Sequence, residues 1–152
     1  MKIKYYWDPE FGFCECSLIV GNNTFYGQAN CHDDDMDMCS EKTGKLIAIT
    51  RAKIAWFQHI KNNELRPQLA ALKQLYYSMN RSKYFNPKSY ENRMLQRQIR
   101  FIKKQLTIVN NDLVKIQQNL RELLRDKDEF YKAVRKKRAL AESNQLEQQK
   151  TH

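Results

Sequence analysis

From residue 95 onward apolar side chains recur at Leu95, Ile99, Ile102, Leu106, Val109, Leu113, Ile116, Leu120, Leu123, Phe130 and Val134, in alternating steps of four and three that only Lys127 interrupts. A stripe with this 3.5-residue period is a coiled-coil seam. It is too narrow to close a core alone, so the helix that carries it must lie along another helix, from its own chain or from a second copy. With Leu95 as heptad position a, Arg93, Arg97, Arg100 and Lys104 fall at f, c, f and c and form a basic stripe on the opposite face.

The chain reads as one domain over residues 1–152, since its length suits one domain and no linker-like run is present. Residues 1–35 read as a small β-meander. Asp8-Pro9-Glu10-Phe11-Gly12 and Gly21-Asn22-Asn23 are turns, and between them Cys14, Cys16, Leu18 and Val20 alternate with Phe13, Glu15, Ser17 and Ile19 as on a half-buried strand. Such a sheet has too little core to stand uncovered. Residues 37–79 read as a first helix with Ser40 as N-cap, kinked or broken near Asn63 to Arg66, because Pro67 lacks an amide hydrogen and crowds the carbonyl four residues back. Residues 80–87 are the connection and residues 88–140 a second, long helix. If helical to Ala139, that helix is about 75 Å long, beyond what the first can cover, so its far half calls for a second copy of the chain. Residues 141–152 are polar and are expected to fray. The expected fold class is thus α+β, a small antiparallel meander followed by two long helices that form a coiled-coil-like, oligomerising stalk.

Charge narrows the partners. Lys and Arg total 27 against 17 Asp and Glu, a formal excess of +10 that attracts anions. No apolar run approaches the roughly 18 residues of a membrane span, and residues 1–8 do not resemble a signal peptide, so a cytoplasmic protein without a membrane partner is expected. In that compartment Cys14, Cys16, Cys31 and Cys39 are expected as reduced thiols. Cys31, His32, Asp33, Asp34, Asp35, Asp37 and Cys39 offer metal-ligand chemistry but lack Cys-x-x-Cys spacing, and the carboxylates suit the start of a helix. No metal and no cofactor are expected. His32, His59 and His152 have no recognisable catalytic partner and no glycine-rich phosphate loop is present, so the chain does not read as an enzyme.

The segment from Arg81 to Lys104 is the most specific. It holds Arg81, Lys83, Lys88, Arg93, Arg97, Arg100, Lys103 and Lys104 against a single Glu91, with Tyr84, Phe85, Tyr90 and Phe101 interleaved. Arginine forks bind phosphates, aromatic faces stack on bases and an asparagine such as Asn92 reads a base edge. An ordinary solvated helix face stands beside that reading. It fits the alternating charges from Arg121 to Glu129 better than it fits this segment, where the acidic partners are missing.

The succession Phe25-x-Gly27-x-Ala29-x-Cys31-His32, then Asp35 to Asp37, Ser40-Glu41-x-x-Gly44-x-x-Ile47-Ala48-x-x-Arg51-Ala52, Ser82-Lys83-x-Phe85-Asn86-Pro87 and Tyr90-Glu91 resembles the anti-Thoeris sponge family of small phage proteins. The resemblance covers most of residues 11–135. It implies an N-terminal antiparallel sheet, long C-terminal helices and assembly as dimers or larger homo-oligomers. It also implies sequestration, without cleavage, of the cyclic ADP-ribose isomer made by a bacterial immune sensor; some members also hold cyclic oligonucleotides. The family's pocket residues do not map one by one onto this chain. Tyr84, Phe85, Asn92, Arg93, Arg97, Arg100 and Lys104 are the ligand-binding candidates by their chemistry. The expected function is binding of a cyclic nucleotide signal where two subunits meet. The alternatives are a nucleic-acid-binding coiled-coil protein and an inhibitor docking on an acidic host protein.

Overall fold

The computed structural model describes residues 1–31, 38–82 and 86–151. It is α+β, as the patterning requires: an antiparallel sheet of β1 (Lys2–Asp8), β2 (Phe13–Val20) and β3 (Asn23–Asn30) in the order β1-β2-β3, then α1 (Glu41–His59), α2 (Arg66–Asn80) and α3 (Tyr90–Lys150). The chain divides into two compact units, Met1–Ala52 with Gln118–His152, and Lys53–Gln117; α1 and α3 contribute residues to both.

In the first unit both hairpins close on the expected turns. The Asp8 carboxylate accepts from the backbone N–H groups of Glu10 and Phe11, and Gly12 takes a left-handed conformation, φ 57°. Gly21, φ 58°, opens the two-residue turn between β2 and β3, the position where a type II′ turn requires glycine. The alternation on β2 emerges as read: Cys14, Cys16 and Leu18 are fully buried. What covers them is α1, which begins as expected at Ser40, whose Oγ accepts from the Thr43 N–H and whose carbonyl accepts from the Gly44 N–H.

α1 lies against β3 with almost no side-chain spacer. A Cβ placed on Gly27 would collide with the Ala48 carbonyl oxygen and sit 2.5 Å from the Ala52 nitrogen, and one on Gly44 would sit 3.3 Å from Trp7 and Cys14. Ala48 and Ala52 are themselves fully buried, one helical turn apart. Arg51 at the edge of this contact donates to the Gln28 carbonyl at 2.6 Å.

Two expectations change in this unit. Cys31 and Cys39 are joined in a disulfide, with Cα atoms 6.1 Å apart, where reduced thiols were expected. The reason is positional: the two residues flank the connection from β3 to α1, and the fold brings its ends within bridging distance. Residues 141–152, expected to fray, are helical to Lys150, because Ala, Leu, Glu and Gln favour a helix and no glycine or proline stops it. On α3 the buried residue beside Cys31 is Tyr131, one position after the stripe residue Phe130. Phe130 is 58% exposed, whereas Tyr131 is 7% exposed and contacts Cys31, Oη to Sγ 3.9 Å. Lys127, the break in the stripe, donates to the Asn30 carbonyl at 3.3 Å and lies 5.6 Å from the Tyr131 ring centroid.

In the second unit the expected kink near Asn63 to Arg66 takes the form of a π-helical segment, Ile60–Leu65, between α1 and α2. The Arg66 N–H reaches back five residues to the Lys61 carbonyl. This widened turn gives Pro67, in the first turn of α2, room for its ring without ending the helix. Inside this unit Leu95, Ile102, Val109 and Leu113 of α3 are buried. Cys31 and Cys39 flank the connection that contains His32 and Asp33 to Asp37; those residues, like Tyr84 and Phe85, fall outside the described ones.

Two outcomes test this description. Gly27→Ala forces α1 off β3 and should cost at least about 2 kcal/mol, read as a lowered midpoint in thermal or urea unfolding. Burial pushes the Cys14 thiol above its usual range, with Lys45 opposing the effect. At pH 8, iodoacetamide should therefore modify Cys14 in the folded protein at least about tenfold more slowly than in urea, measured by peptide mass.

Candidate functional site

The formal charge of the molecule is not spread over it. Residues 53–117, the second unit, carry thirteen Lys and Arg against three Asp and Glu, and the remaining residues carry fourteen of each. The whole excess of +10 thus belongs to the second unit. The acidic groups that would quench it are scarce: among the described residues none of Arg93, Arg97, Arg100, Lys103 and Lys104 makes an ion pair. An uncompensated field of this kind concentrates anions at the surface that carries it.

Helix geometry places the four stripe residues at the crest of α3. Taking 100° per residue from Leu95, Arg93, Arg97, Arg100 and Lys104 all lie within about 40° of the direction opposite the buried line. All four are exposed. At the crest the stripe divides. Arg97 turns to one flank, where Gln68, Ala71 and Leu72 of α2 and Met94, Gln98, Phe101 and Ile102 of α3 line a groove of about 570 Å³. Arg100 turns to the other, where Lys73, Tyr76 and Tyr77 of α2 and Gln96, Ile99 and Lys103 of α3 line a second groove of about 280 Å³. Its Nε donates to the Gln96 carbonyl at 3.4 Å, which leaves the terminal nitrogens for another partner. Arg93 and Lys104 line neither groove.

The first groove has an apolar floor, an aromatic face in Phe101 and one guanidinium, Arg97. Its volume falls within the range of sites that enclose a small organic ligand. The second is more cationic and has two adjacent aromatic rings. Lys73, Tyr76 and Tyr77 come from α2, and sequence reading passed over them because they sit outside the basic segment; the period of α2, which sets Lys73 and Tyr76 three apart, was the available signal.

Asn92 is placed differently from its neighbours. It is fully buried, and its Nδ2 donates to the Asn86 carbonyl at 3.2 Å. Around it the start of α3 is tied to the preceding turn: Ser89 Oγ accepts from the Asn92 N–H, the Asn86 side chain accepts from the Lys88 N–H and the Ser89 N–H donates to the Asn86 carbonyl. The Asn92 Oδ1 has no hydrogen-bond partner among the described residues. These bonds hold the turn at residues 86–89 on the helix. Asn92→Ala should therefore lower the unfolding midpoint by an amount equivalent to about 1 kcal/mol, visible by calorimetry.

Among the described residues no group of three His, Cys, Asp or Glu side chains is arranged to hold a metal ion, and no helix is long and apolar enough to cross a membrane. Comparison with known proteins finds no matching family model, no matching curated protein and no matching solved structure, so the chemistry of these two grooves carries the functional reading by itself.

Proposed function

We propose that the protein binds and sequesters a cyclic nucleotide signal, a cyclic ADP-ribose isomer, without cleaving it, and so counteracts a bacterial anti-phage defence from within the host cytosol. The observation that supports this is the pairing of an unquenched +10 surface with an adjoining apolar groove of about 570 Å³ that offers Arg97 and Phe101. A cyclic ADP-ribose isomer has a matching division: an adenine for the aromatic face, and a pyrophosphate for arginine forks. A second copy of the chain, docked on the exposed apolar residues of α3 on the Arg97 flank, Phe101 and Ile108, closes the open side and excludes water from the ligand. No bond need break, since a preformed cationic pocket supplies the affinity.

Charge alone also favours a polynucleotide, and the same experiment separates the two. Purified protein titrated with cyclic ADP-ribose isomers in a calorimeter should bind one of them saturably, and heat denaturation should return that ligand intact by mass spectrometry. Arg97→Gln should weaken binding by about tenfold to a hundredfold, the worth of one charged hydrogen-bonded contact. A hydrolysed product would move the function to an enzyme. Tight retention of a duplex with a steep log–log salt slope and no cyclic-nucleotide binding would instead establish the nucleic-acid reading.

A further inference from the structure

The groove on the Arg100 flank differs from the Arg97 groove in size, charge and aromatic content, and the function proposed above does not use it. It is about half as large, about 280 Å³ against about 570 Å³. Three cations line it, Lys73, Arg100 and Lys103, and no carboxylate does. Tyr76 and Tyr77 stand with ring centroids 6.0 Å apart at 64°, so together they offer one face and one edge at a corner. Tyr76 is half-buried and Tyr77 exposed, which leaves a ring surface open to a stacking partner. The cations come from both helices, one from α2 and two from α3. A ligand held by all three must therefore bridge the pair.

From this juxtaposition we infer that the Tyr76–Arg100 groove is a separate binding site for a purine mononucleotide that carries a di- or triphosphate. Each part of the ligand answers a feature of the groove. A purine has a flat π face for the tyrosine corner, where stacking on an aromatic ring contributes about 1–3 kcal/mol per base. A diphosphate or triphosphate carries enough charge to engage three cations, with the Arg100 fork taking two oxygens and the lysines acting as point charges. The volume is at the small end for ligand sites, which suits a single mononucleotide. The site stands on observations independent of the Arg97 groove.

The test is calorimetric titration of the full chain with ADP, adenosine and pyrophosphate. ADP should saturate one site per chain, and adenosine and pyrophosphate should each bind at least about tenfold more weakly, because each lacks half of the recognition. Arg100→Glu and Tyr76→Ala should each weaken ADP at least about tenfold, Arg100→Lys should retain part of the affinity, and Arg97→Gln should leave it within about threefold. Melting curves of the variants establish that they fold, and Tyr77→Ala replaces Tyr76→Ala if the latter does not. Three outcomes would overturn the inference: equal binding of pyrophosphate and ADP, equal loss of ADP in Arg97→Gln and Arg100→Glu, or an oligonucleotide bound in place of ADP with affinity that rises with its length. The first means a phosphate surface without base recognition, the second a single site, and the third a track for a single strand. Absence of ADP binding with cyclic ADP-ribose binding intact is a fourth such outcome and would sink this site alone, and the reverse would sink only the function proposed for the other flank.

Discussion

The first unit depends on one close approach, that of the α1 backbone to β3. Burial of Cys14, Cys16 and Leu18 requires a cover, and a helix covers a sheet well only if its axis comes near enough to fill the space with side chains. Here the cover is reached by removing side chains rather than adding them. Gly27 on the strand faces Ala48 and Ala52 on the helix, and Gly44 opens a place for Trp7. Larger residues at those positions would push α1 outward and expose the small core of a three-stranded sheet. The Cys31–Cys39 bridge and the Tyr131 contact sit at the margin of the same packing and tie the β3 end to α3.

The second unit rests on a different constraint, the continuity of its helices. Proline in a helix interior ordinarily ends the helix, yet here a single π-helical segment takes up the missing hydrogen bond and the ring, and α2 follows directly from α1. That continuity places α2 where its residues line grooves together with α3. It also explains why cations gathered on one segment serve two surfaces. Arg97 and Arg100, three residues apart on an exposed crest, diverge to opposite flanks, so a stripe that reads as one feature in one dimension becomes two chemically distinct grooves.

Concentration of the entire +10 in residues 53–117 gives those grooves a common electrostatic background. Against it, the local differences decide the chemistry: an apolar floor with one arginine on one flank, and a tyrosine corner with three cations on the other. The rest of the chain carries equal numbers of cationic and anionic residues.

Much was legible in one dimension because it depends on short-range rules. Period-two burial on β2, glycine at the two turns, Ser40 as the N-cap and a disturbance before Pro67 follow from local sterics and hydrogen bonding, which neighbouring residues set by themselves. The basic and aromatic character of the segment from Arg81 to Lys104 was equally plain. Other features required the tertiary structure, because they depend on which elements pack together. Cys31 and Cys39 pair only once β3 and α1 meet. Tyr131 rather than Phe130 is buried because it is the residue that meets Cys31 and Lys127 beside the end of β3. Asn92, a base reader by composition, is fully buried against the turn before α3, and Lys73, Tyr76 and Tyr77 line a groove with Arg100 only because α2 lies beside α3. Sequence determined which residues carry charge, burial and turns; only the fold determined which of them share a surface, since that is set by packing distance and not by position along the chain.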